Sequence, residues 1–370
     1  MSDAIQRLLR ADPVRYMGTD GMKAAAQSLR EALECTGYRV HEQVVNYDGW
    51  HELGTPHALV YAGPDRLRMD AKTMIYSPPI DVDGVLVGAG RQMLIGVFHW
   101  RHFSVMKDGD LVAQLIATDE GPSVPLSLEG PGMDVPSFII GAEEGDALEG
   151  ILDANGVGDI RIRLCTETEL LPDQEFSNIV GSVRSDFPHE VLICAHYDSI
   201  YDSPGANDNG SGLICASMVA EELLQLPEFQ NLKITVAFFG GEELLQLGSK
   251  AYLKERIDDQ TVDQIALVVN LDMVGVGEYF WPWVDPGTEP ALRRALAQHL
   301  CQYPVKILNP PLAGDHYPFY EWGIPVSCLI WWPDPNYHLP SDVFACLDPG
   351  RLSYTARLCV ALVREFFSRS

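Results

Sequence analysis

Two polar side chains directly follow an apolar stretch near the middle of the 370-residue chain. Residues 191–195 form a continuous apolar run, typical of a strand that a parallel sheet buries on both faces, and the run leads into His196 and Asp198. Open α/β sheets bind their ligands at the carboxyl ends of such strands. An imidazole that binds a metal usually donates its second N–H to a carboxylate, and Asp198 is spaced to accept it. We therefore predict a metal ligand at His196, supported by Asp198.

Asp208 lies in the glycine-rich stretch 205–212, between this strand and a predicted helix at 213–224. The glycines leave room for a close approach of the backbone. A carboxylate in such a turn is a candidate metal ligand. The alternative is that Asp208 or Asn209 only caps the helix that follows. The residues by themselves leave both interpretations open.

Carboxylates also end the next two predicted strands. The alternating strand 232–239 leads to Glu242 and Glu243, whose side chains point in different directions, so that one can bind a metal while the other faces the substrate. The alternative is an acidic first turn that complements the dipole of a predicted helix at 244–253. Asp272 ends the following strand, where a charge is costly unless it has a partner.

The joint pattern favours a pair of metal ions. Five potential nitrogen or oxygen ligands fall at or just past strand ends and would meet at one rim of the sheet: His196, Asp208, Glu243, Asp272 and His338. Histidine and carboxylate without cysteine suit Zn²⁺ in an open catalytic site, or Mn²⁺ or Co²⁺. Five ligands exceed what one tetrahedral ion needs if a water is kept, whereas two ions that share one carboxylate use them all.

The elements that must position these residues alternate between helices and strands. Helical spacing of apolar residues over 20–37 is followed by a strand, and the alternation resumes near residue 178. We expect an α/β domain of residues 1–53 and 166–370, with a mixed, mostly parallel central sheet flanked by helices. Residues 54–165 contain short alternating stretches separated by Gly, Pro and Asp, which indicates a β-rich insert.

The composition argues against some classes of partner. Acidic residues number 52 against 26 basic ones, and the formal charge of −26 argues against nucleic acids and anionic membranes. The eight cysteines include no Cys-x-x-Cys pair and are interpreted as reduced. No basic region followed by an apolar core begins the chain, and no apolar run could span a membrane. We expect a soluble, cytoplasmic protein, and its oligomeric state stays open.

The ordered motifs over residues 175–350 resemble those of the M28 family of metallo-aminopeptidases. The family fold is a zinc exopeptidase-like α/β domain, and the insert weakly resembles the protease-associated domain of some members. The motifs that carry the resemblance are His196-Tyr-Asp198, the stretch 205–212, Glu242-Glu243 with Gly248-Ser249, Asn270-Leu-Asp272, Asp315-His316 with Gly323-Ile-Pro325, and Tyr337-His338 with Pro340 and Asp342.

The resemblance implies two zinc ions bridged by the Asp208 carboxylate. His196 and Asp272 would complete the ligands of one ion, and Glu243 and His338 those of the other.

The resemblance also implies roles for four further side chains. Glu242 would be the general base, which takes a proton from the attacking, metal-activated water and passes it to the leaving amine. Asp198 would accept a hydrogen bond from the second ring N–H of His196, and Asp342 would do the same for His338. Tyr337 is a candidate for stabilising the oxyanion, with simple packing as the alternative.

The substrate implied by the resemblance is a peptide or an aminoacyl compound. Asp315-His316 is more similar to the aminopeptidase branch, which hydrolyses the N-terminal peptide bond, than to the related carboxypeptidases. The alternatives left open are a carboxypeptidase or deacylase of the same fold and a catalytically silent binding scaffold. The complete ligand set argues against the scaffold and against a one-zinc relative that cyclises N-terminal glutamine.

Overall fold

The computed structural model describes residues 1–94, 98–155, 160–299, 303–307 and 314–368. The chain forms two compact units. The first contains Met1–Asn46 and Glu175–Ser370, and the second contains Tyr47–Gln174. These boundaries fall inside two long strands, instead of at the predicted positions 53/54 and 165/166.

Helices and strands alternate over most of the first unit, and strands predominate in the second. In the described residues, the helices are α1 (Ser2–Leu9), α2 (Asp20–Cys35), α3 (Ala142–Asn155), α4 (Gly212–Gln225), α5 (Leu247–Asp258), α6 (Glu289–Gln298), α7 (Tyr317–Glu321) and α8 (Pro349–Phe367). The strands are β1 (Arg39–Glu52), β2 (His57–Ala62), β3 (Asp65–Met69), β4 (Ala71–Thr73), β5 (Ile80–Leu94), β6 (Phe98–Lys107), β7 (Asp110–Ala117), β8 (Ser137–Ile140), β9 (Arg161–Thr166), β10 (Thr168–Val183), β11 (Glu190–His196), β12 (Lys233–Phe239), β13 (Ile265–Leu271), β14 (Tyr279–Phe280), β15 (Trp283–Val284), β16 (Val326–Leu329) and β17 (Trp331–Trp332).

A mixed sheet forms the centre of the first unit, with the strand order β1-β10-β12-β11-β13-β16-β15. The inner strands β12, β11, β13 and β16 are parallel, whereas β10 pairs antiparallel with β12 and β15 pairs antiparallel with β16. Helix α4 packs against this sheet and against α8. The predicted fold class, a mostly parallel sheet flanked by helices, is confirmed.

Strand β11 lies at the middle of the sheet, and every one of its residues is buried. It pairs in parallel with β12 on one side and with β13 on the other, so both of its faces must be apolar. His196, its last residue, lies opposite Phe239 at the end of β12. The carboxyl ends of these strands therefore meet at one edge of the sheet, as the sequence predicts.

The helix expected at 244–253 is shifted along the chain. Leu245 and Gln246 have positive φ angles of 70° and 58°, which do not continue an α-helix, and α5 begins at Leu247. Glu242 and Glu243 therefore do not form an acidic first helical turn. They lie in the loop between β12 and α5, where their side chains are available to the site.

The second unit is built on a sheet of order β3-β2-β9-β5-β6-β7-β8-β4, in which only the β7–β8 pair is parallel among the pairs that the structure describes. Helix α3 packs against β5 and β7. The unit has its own buried apolar cluster, which includes Phe103, Leu115 and Phe138. The prediction of a β-rich insert is confirmed, and its relation to a protease-associated domain stays a prediction.

The cysteines that the structure describes are all free, in agreement with the expectation of reduced thiols. Cys301 lies outside the described residues. None of the helices in the described ranges has the length and apolar character needed to cross a membrane.

A buried ion cluster stabilises the amino end of β11, far from the carboxyl ends of the strands. The Glu190 side chain is fully buried, and its oxygens lie 3.0 and 2.7 Å from the guanidinium nitrogens of Arg256 and 2.9 Å from Lys233 Nζ. Although burial raises the pKa of Glu190, the hydrogen bonds from Arg256 lower it below its usual value.

We expect Glu190→Gln to destabilise the fold by about 3–5 kcal/mol, because it leaves two cations without their counter-charge in the interior. Denaturant unfolding measures the loss. Glu289→Gln is the control, since Glu289 pairs with Arg293 at the surface and such pairs contribute little. Equal stability of the two variants would contradict the prediction.

Candidate metal centre

Two groups of potential ligands meet at the carboxyl ends of the central strands, and they share Asp208. In the first group, His196 Nε2 lies 3.2 Å from Asp208 Oδ1 and 3.4 Å from Asp272 Oδ1. In the second, His338 Nε2 lies 3.3 Å from Asp208 Oδ2 and 3.2 Å from Glu243 Oε2. The structure thus brings together all five residues that the sequence analysis singled out, with one Asp208 oxygen toward each histidine.

The turn that presents Asp208 depends on a glycine. Gly205 has a φ of +61°, and a Cβ at this position would collide with the Asp208 carbonyl oxygen and with Ser199. A side chain at residue 205 is therefore excluded both by the left-handed backbone and by space. The peptide bond between Asp208 and Asn209 is cis.

Asn209 ties this turn to the strand end that carries Asp272. Its Nδ2 donates to the Leu271 carbonyl at 2.9 Å, and its Oδ1 accepts from Met273 N at 3.2 Å. Asn209 Oδ1 also accepts from Gly212 N at the start of α4, so the side chain serves the capping role considered above. Asp208 is left free to face the histidines.

Asp342 supports Asp208 through the backbone. Its two carboxylate oxygens accept from Asn207 N at 2.7 Å and from Asp208 N at 3.0 Å. Burial raises the pKa of Asp342 to about 7, and these hydrogen bonds oppose the shift. The two N–H groups of the turn point at this carboxylate, so Asp342 fixes the segment that carries Asp208. Its support of His338, which the resemblance implies, stays a prediction.

Asp198 lies where the sequence predicts it, beside His196. Its Oδ1 is 3.5 Å from His196 Nδ1, and its backbone carbonyl is 3.2 Å from the same nitrogen. The carboxylate also accepts from the backbone N–H groups of Glu242 and Glu243, at 3.3 and 3.2 Å. One buried side chain therefore positions both the histidine and the glutamate pair.

The donor set fits divalent cations. Glu243 Oε1 is buried and has no hydrogen-bond partner among the described residues, and Asp272 Oδ1 is buried beside His196 Nε2 without a well-directed hydrogen bond to it. Burial raises the pKa of both carboxyl groups, and the nearby Asp208 carboxylate adds to the shift, whereas His338 and His196 oppose it. Ligands about 2.0–2.1 Å from a tetrahedral Zn²⁺ lie about 3.3 Å from one another, which matches the distances between each histidine and its two carboxylates.

The histidines respond to the same crowding of carboxylates. Burial lowers the pKa of His196, but Asp272, Asp198 and Asp208 together raise it well above its usual value. The pKa of His338 is raised in the same way against the effect of burial, mainly by Glu243 and Asp208. The site therefore attracts positive charge, which protons or metal ions can supply.

Glu242 lies beside both groups without belonging to either. Its side chain is 14% exposed, and its Oε2 is 4.0 Å from His196 Nε2. Its other oxygen, Oε1, accepts a hydrogen bond from Gln246 Nε2 at 3.4 Å. Burial raises the pKa of Glu242 well above its usual value; His196 opposes this shift, and the neighbouring carboxylates add to it.

The sequence model of peptidase family M28 matches residues 178–363, which is half of the chain and includes every residue of the two ligand groups. The chain belongs to this family. The recognition made from the motifs is therefore confirmed.

Two relatives illustrate how similar the chain is to characterised members of family M28. It is 25% identical to aminopeptidase YwaD of Bacillus subtilis over 83% of the chain and 78% of that protein. It is 29% identical to leucine aminopeptidase 2 of Trichophyton equinum over 70% of the chain and 54% of that protein, so it spans about half the length of this relative.

Solved structures share the M28 fold. The aminopeptidase from Aneurinibacillus sp. strain AM-1 has a TM-score of 0.76 at 19% identity, with 98% of this chain and 93% of that one covered. The zinc aminopeptidase BSAP from Bacillus subtilis has a TM-score of 0.72 at 23% identity, with 98% and 94% covered. These likenesses span both units and establish the fold.

Tyr337 is the first of three aromatic side chains that contact one another beside the candidate metal centre. Its ring stacks on His338 with centroids 3.8 Å apart and contacts the edge of Trp332 at 5.8 Å. Trp332 in turn meets Trp281 at 6.2 Å. Burial raises the pKa of the Tyr337 hydroxyl well above its usual value, so this group is a neutral donor at neutral pH. Its oxyanion role stays a prediction.

Other aromatic residues of this part of the chain belong to the interior. Phe280 and Trp331 are fully buried and pack against each other. Trp283 packs against the buried His316. Asp315 is also fully buried, and residues 308–313 just before it lie outside the described part of the chain.

Sequence reasoning missed three residues that support the centre. Asn209 and Asn207 stand in the quoted motif, but their amide contacts depend on chain segments far away in sequence. Gln246 follows Glu242 by four residues, and its amide contacts the Glu242 carboxylate although this segment is not helical.

Proposed function

We propose that this chain is a di-zinc aminopeptidase that hydrolyses the N-terminal peptide bond of peptides or aminoacyl substrates. The observation that carries the proposal is the pair of ligand groups sharing Asp208. His196 and Asp272 would hold one ion with Asp208, and Glu243 and His338 the other. Family membership and the names of the relatives, aminopeptidase YwaD and leucine aminopeptidase 2, support the substrate class.

Zinc ions bound in this centre would acidify the attacking water and polarise the scissile carbonyl. The protein supplies the ligands in a fixed arrangement, because Asp198, Asn209 and Asp342 hold the segments that carry them. Little rearrangement is then needed when metal or substrate binds.

Glu242 would move the proton. Its Oε2 lies 4.0 Å from His196 Nε2, whereas Oε1 accepts a hydrogen bond from Gln246, so Oε2 is the oxygen that would face the attacking water. Oε2 would accept the proton from the water and then donate it to the nitrogen of the leaving amine. The environment raises the pKa of Glu242, and bound cations would oppose that shift, which favours proton exchange near neutral pH.

The carboxyl groups around the ligands favour a free amino terminus. Glu242 and Asp315 lie near the centre and belong to neither ligand group. Bound zinc ions would neutralise the three ligand carboxylates and keep Glu242 and Asp315 ionised, so these two side chains would attract an α-ammonium group. We therefore place the N-terminal residue of the substrate at the centre.

Hydrolysis of aminoacyl-p-nitroanilides tests the proposal. We expect cleavage of the unblocked compounds only, abolished by a chelator and restored by Zn²⁺, with Mn²⁺ and Co²⁺ tested as substitutes. N-blocked peptides with free carboxyl termini are the matched control. Cleavage of the blocked peptides alone would make the chain a carboxypeptidase or a deacylase. Full zinc content without any hydrolysis would favour a binding scaffold.

A further inference from the structure

Arg15 is a fully buried arginine behind the metal centre. Its Nε–H donates to the Tyr197 carbonyl at 2.8 Å, and its two terminal nitrogens donate to the carbonyls of Pro204 at 2.6 Å and Gly205 at 2.9 Å. A guanidinium presents its donors in a rigid planar fork. Arg15 therefore fixes three carbonyls relative to one another.

The backbone of Arg15 holds the same segment a second time. Arg15 N donates to Ser199 Oγ at 3.0 Å, and Ser199 N donates to the Arg15 carbonyl at 3.2 Å. The contacted residues, 197–205, form the whole connection between His196 and the turn that carries Asp208. The separation of His196 and Asp208 therefore depends on Arg15, which lies 182 positions before Tyr197 in the chain.

The charge of Arg15 is not used in a direct ion pair. In the ranges that the structure describes, no carboxylate oxygen lies within 4.0 Å of its nitrogens. Burial lowers the pKa of Arg15 to about 10, against the opposing effect of Asp342, Asp198 and Asp208. The side chain is therefore cationic at neutral pH. Burying a cation whose donors reach only neutral carbonyls costs free energy. What Arg15 contributes to the folded chain is the fixed geometry of these three carbonyls.

We propose that Arg15 is a positioning residue of the metal centre, which holds His196 and Asp208 at the separation that binds zinc before the metal arrives. The inference rests on the proposed zinc centre. Because Arg15 already orders these side chains in the metal-free protein, metal binding does not have to supply the free energy of ordering them. Arg15 therefore raises the zinc affinity without contacting the ion.

The variant Arg15→Lys separates geometry from charge. Lysine keeps the positive charge, but its single nitrogen cannot reach three carbonyls in the arrangement of the guanidinium fork. We expect zinc to bind about 10–100-fold more weakly, the range typical of residues that orient metal ligands. Equilibrium dialysis against buffered free zinc measures the affinity. Thermal melting in chelator and in limiting zinc measures the rise in Tm that zinc causes. We expect this rise to be smaller for Arg15→Lys than for the wild-type protein.

Arg256→Lys is the matched control, because Arg256 is a buried arginine at the opposite end of β11. It should lower the Tm in chelator and in zinc alike, with unchanged zinc affinity. If Arg15→Lys does not fold, Ser199→Ala replaces it. This change removes the acceptor of Arg15 N–H and the hydrogen bond that Ser199 Oγ donates to the Ser203 carbonyl at 2.9 Å, both within the segment that Arg15 holds. We expect roughly threefold to tenfold weaker zinc binding from these lost hydrogen bonds.

The inference is wrong if Arg15→Lys binds zinc within about twofold of the wild-type affinity. Where the lysine variant is unfolded, an unchanged zinc affinity of Ser199→Ala has the same meaning. The proposed function stands in both cases. Equal losses of zinc affinity in Arg15→Lys and Arg256→Lys would also overturn the inference, because the effect would then follow general stability. Wild-type protein that binds no zinc would overturn both the inference and the proposed function.

Discussion

Glu242→Gln is expected to lower kcat by about 10²–10⁴-fold, the usual contribution of general acid–base catalysis, while both zinc ions stay bound. Glutamine has nearly the same shape and can still accept a hydrogen bond from Gln246, but it cannot take a proton from the attacking water. Glu242 belongs to neither ligand group, so its replacement leaves the metal ligands unchanged. Because a general base acts in the transition state and not on substrate binding, we expect little change in KM.

The measurement combines steady-state kinetics on an aminoacyl-p-nitroanilide with zinc analysis of the same sample. Glu243→Gln is the control at the adjacent position, because Glu243 lies in a ligand group and its loss should remove one ion together with the activity. A Glu242→Gln enzyme with two zinc ions and a kcat within about tenfold of the wild-type value would remove Glu242 from the role of base.

Asp208→Asn is expected to have the largest effect on metal content, because Asp208 is the one residue present in both ligand groups. The amide has the same size but a single acceptor oxygen, so one histidine would face an NH₂ group that cannot bind a cation. The shared negative charge is also lost. We expect the affinity for both ions to fall by more than about 100-fold, beyond the effect of residues that only orient ligands, and hydrolysis to fall to background.

Asp272→Asn and Glu243→Gln are the matched controls for Asp208→Asn, since each belongs to only one group. We expect each control to retain one zinc ion where Asp208→Asn retains none, at the same buffered free zinc. Melting in chelator checks that all three variants are folded. If Asp208→Asn loses only one ion, or if a control loses both, the shared role of Asp208 is wrong.

Local patterns in the sequence were sufficient to predict the sheet and the residues that meet at its edge. Continuous apolar runs such as 191–195 identify strands buried on both faces, and the structure confirms β11 as the centre of a mostly parallel sheet. Parallel strands end at a common edge, so polar residues that follow them must meet there. That rule brings His196 and Asp272 together without knowledge of any other contact.

The chain around the glutamates shows where local reasoning fails. Leucine and glutamine are good helix formers, so a helix from 244 was expected. The structure instead places Leu245 and Gln246 in the left-handed region, and the helix starts at Leu247. Tertiary contacts decide this, since Asp198 holds the backbone of Glu242 and Glu243 from a different strand end.

By itself, the sequence determined the fold class, the family and the residues that meet at the edge of the sheet, because periodicity and motif spacing are properties of neighbouring residues. Only the tertiary structure decided that Asp342 holds the turn of Asp208 and that Arg15 ties residues 197–205 together. Contacts of this kind join segments more than a hundred positions apart, and they depend on the directions in which folded segments present their N–H and C=O groups. No local pattern records those directions.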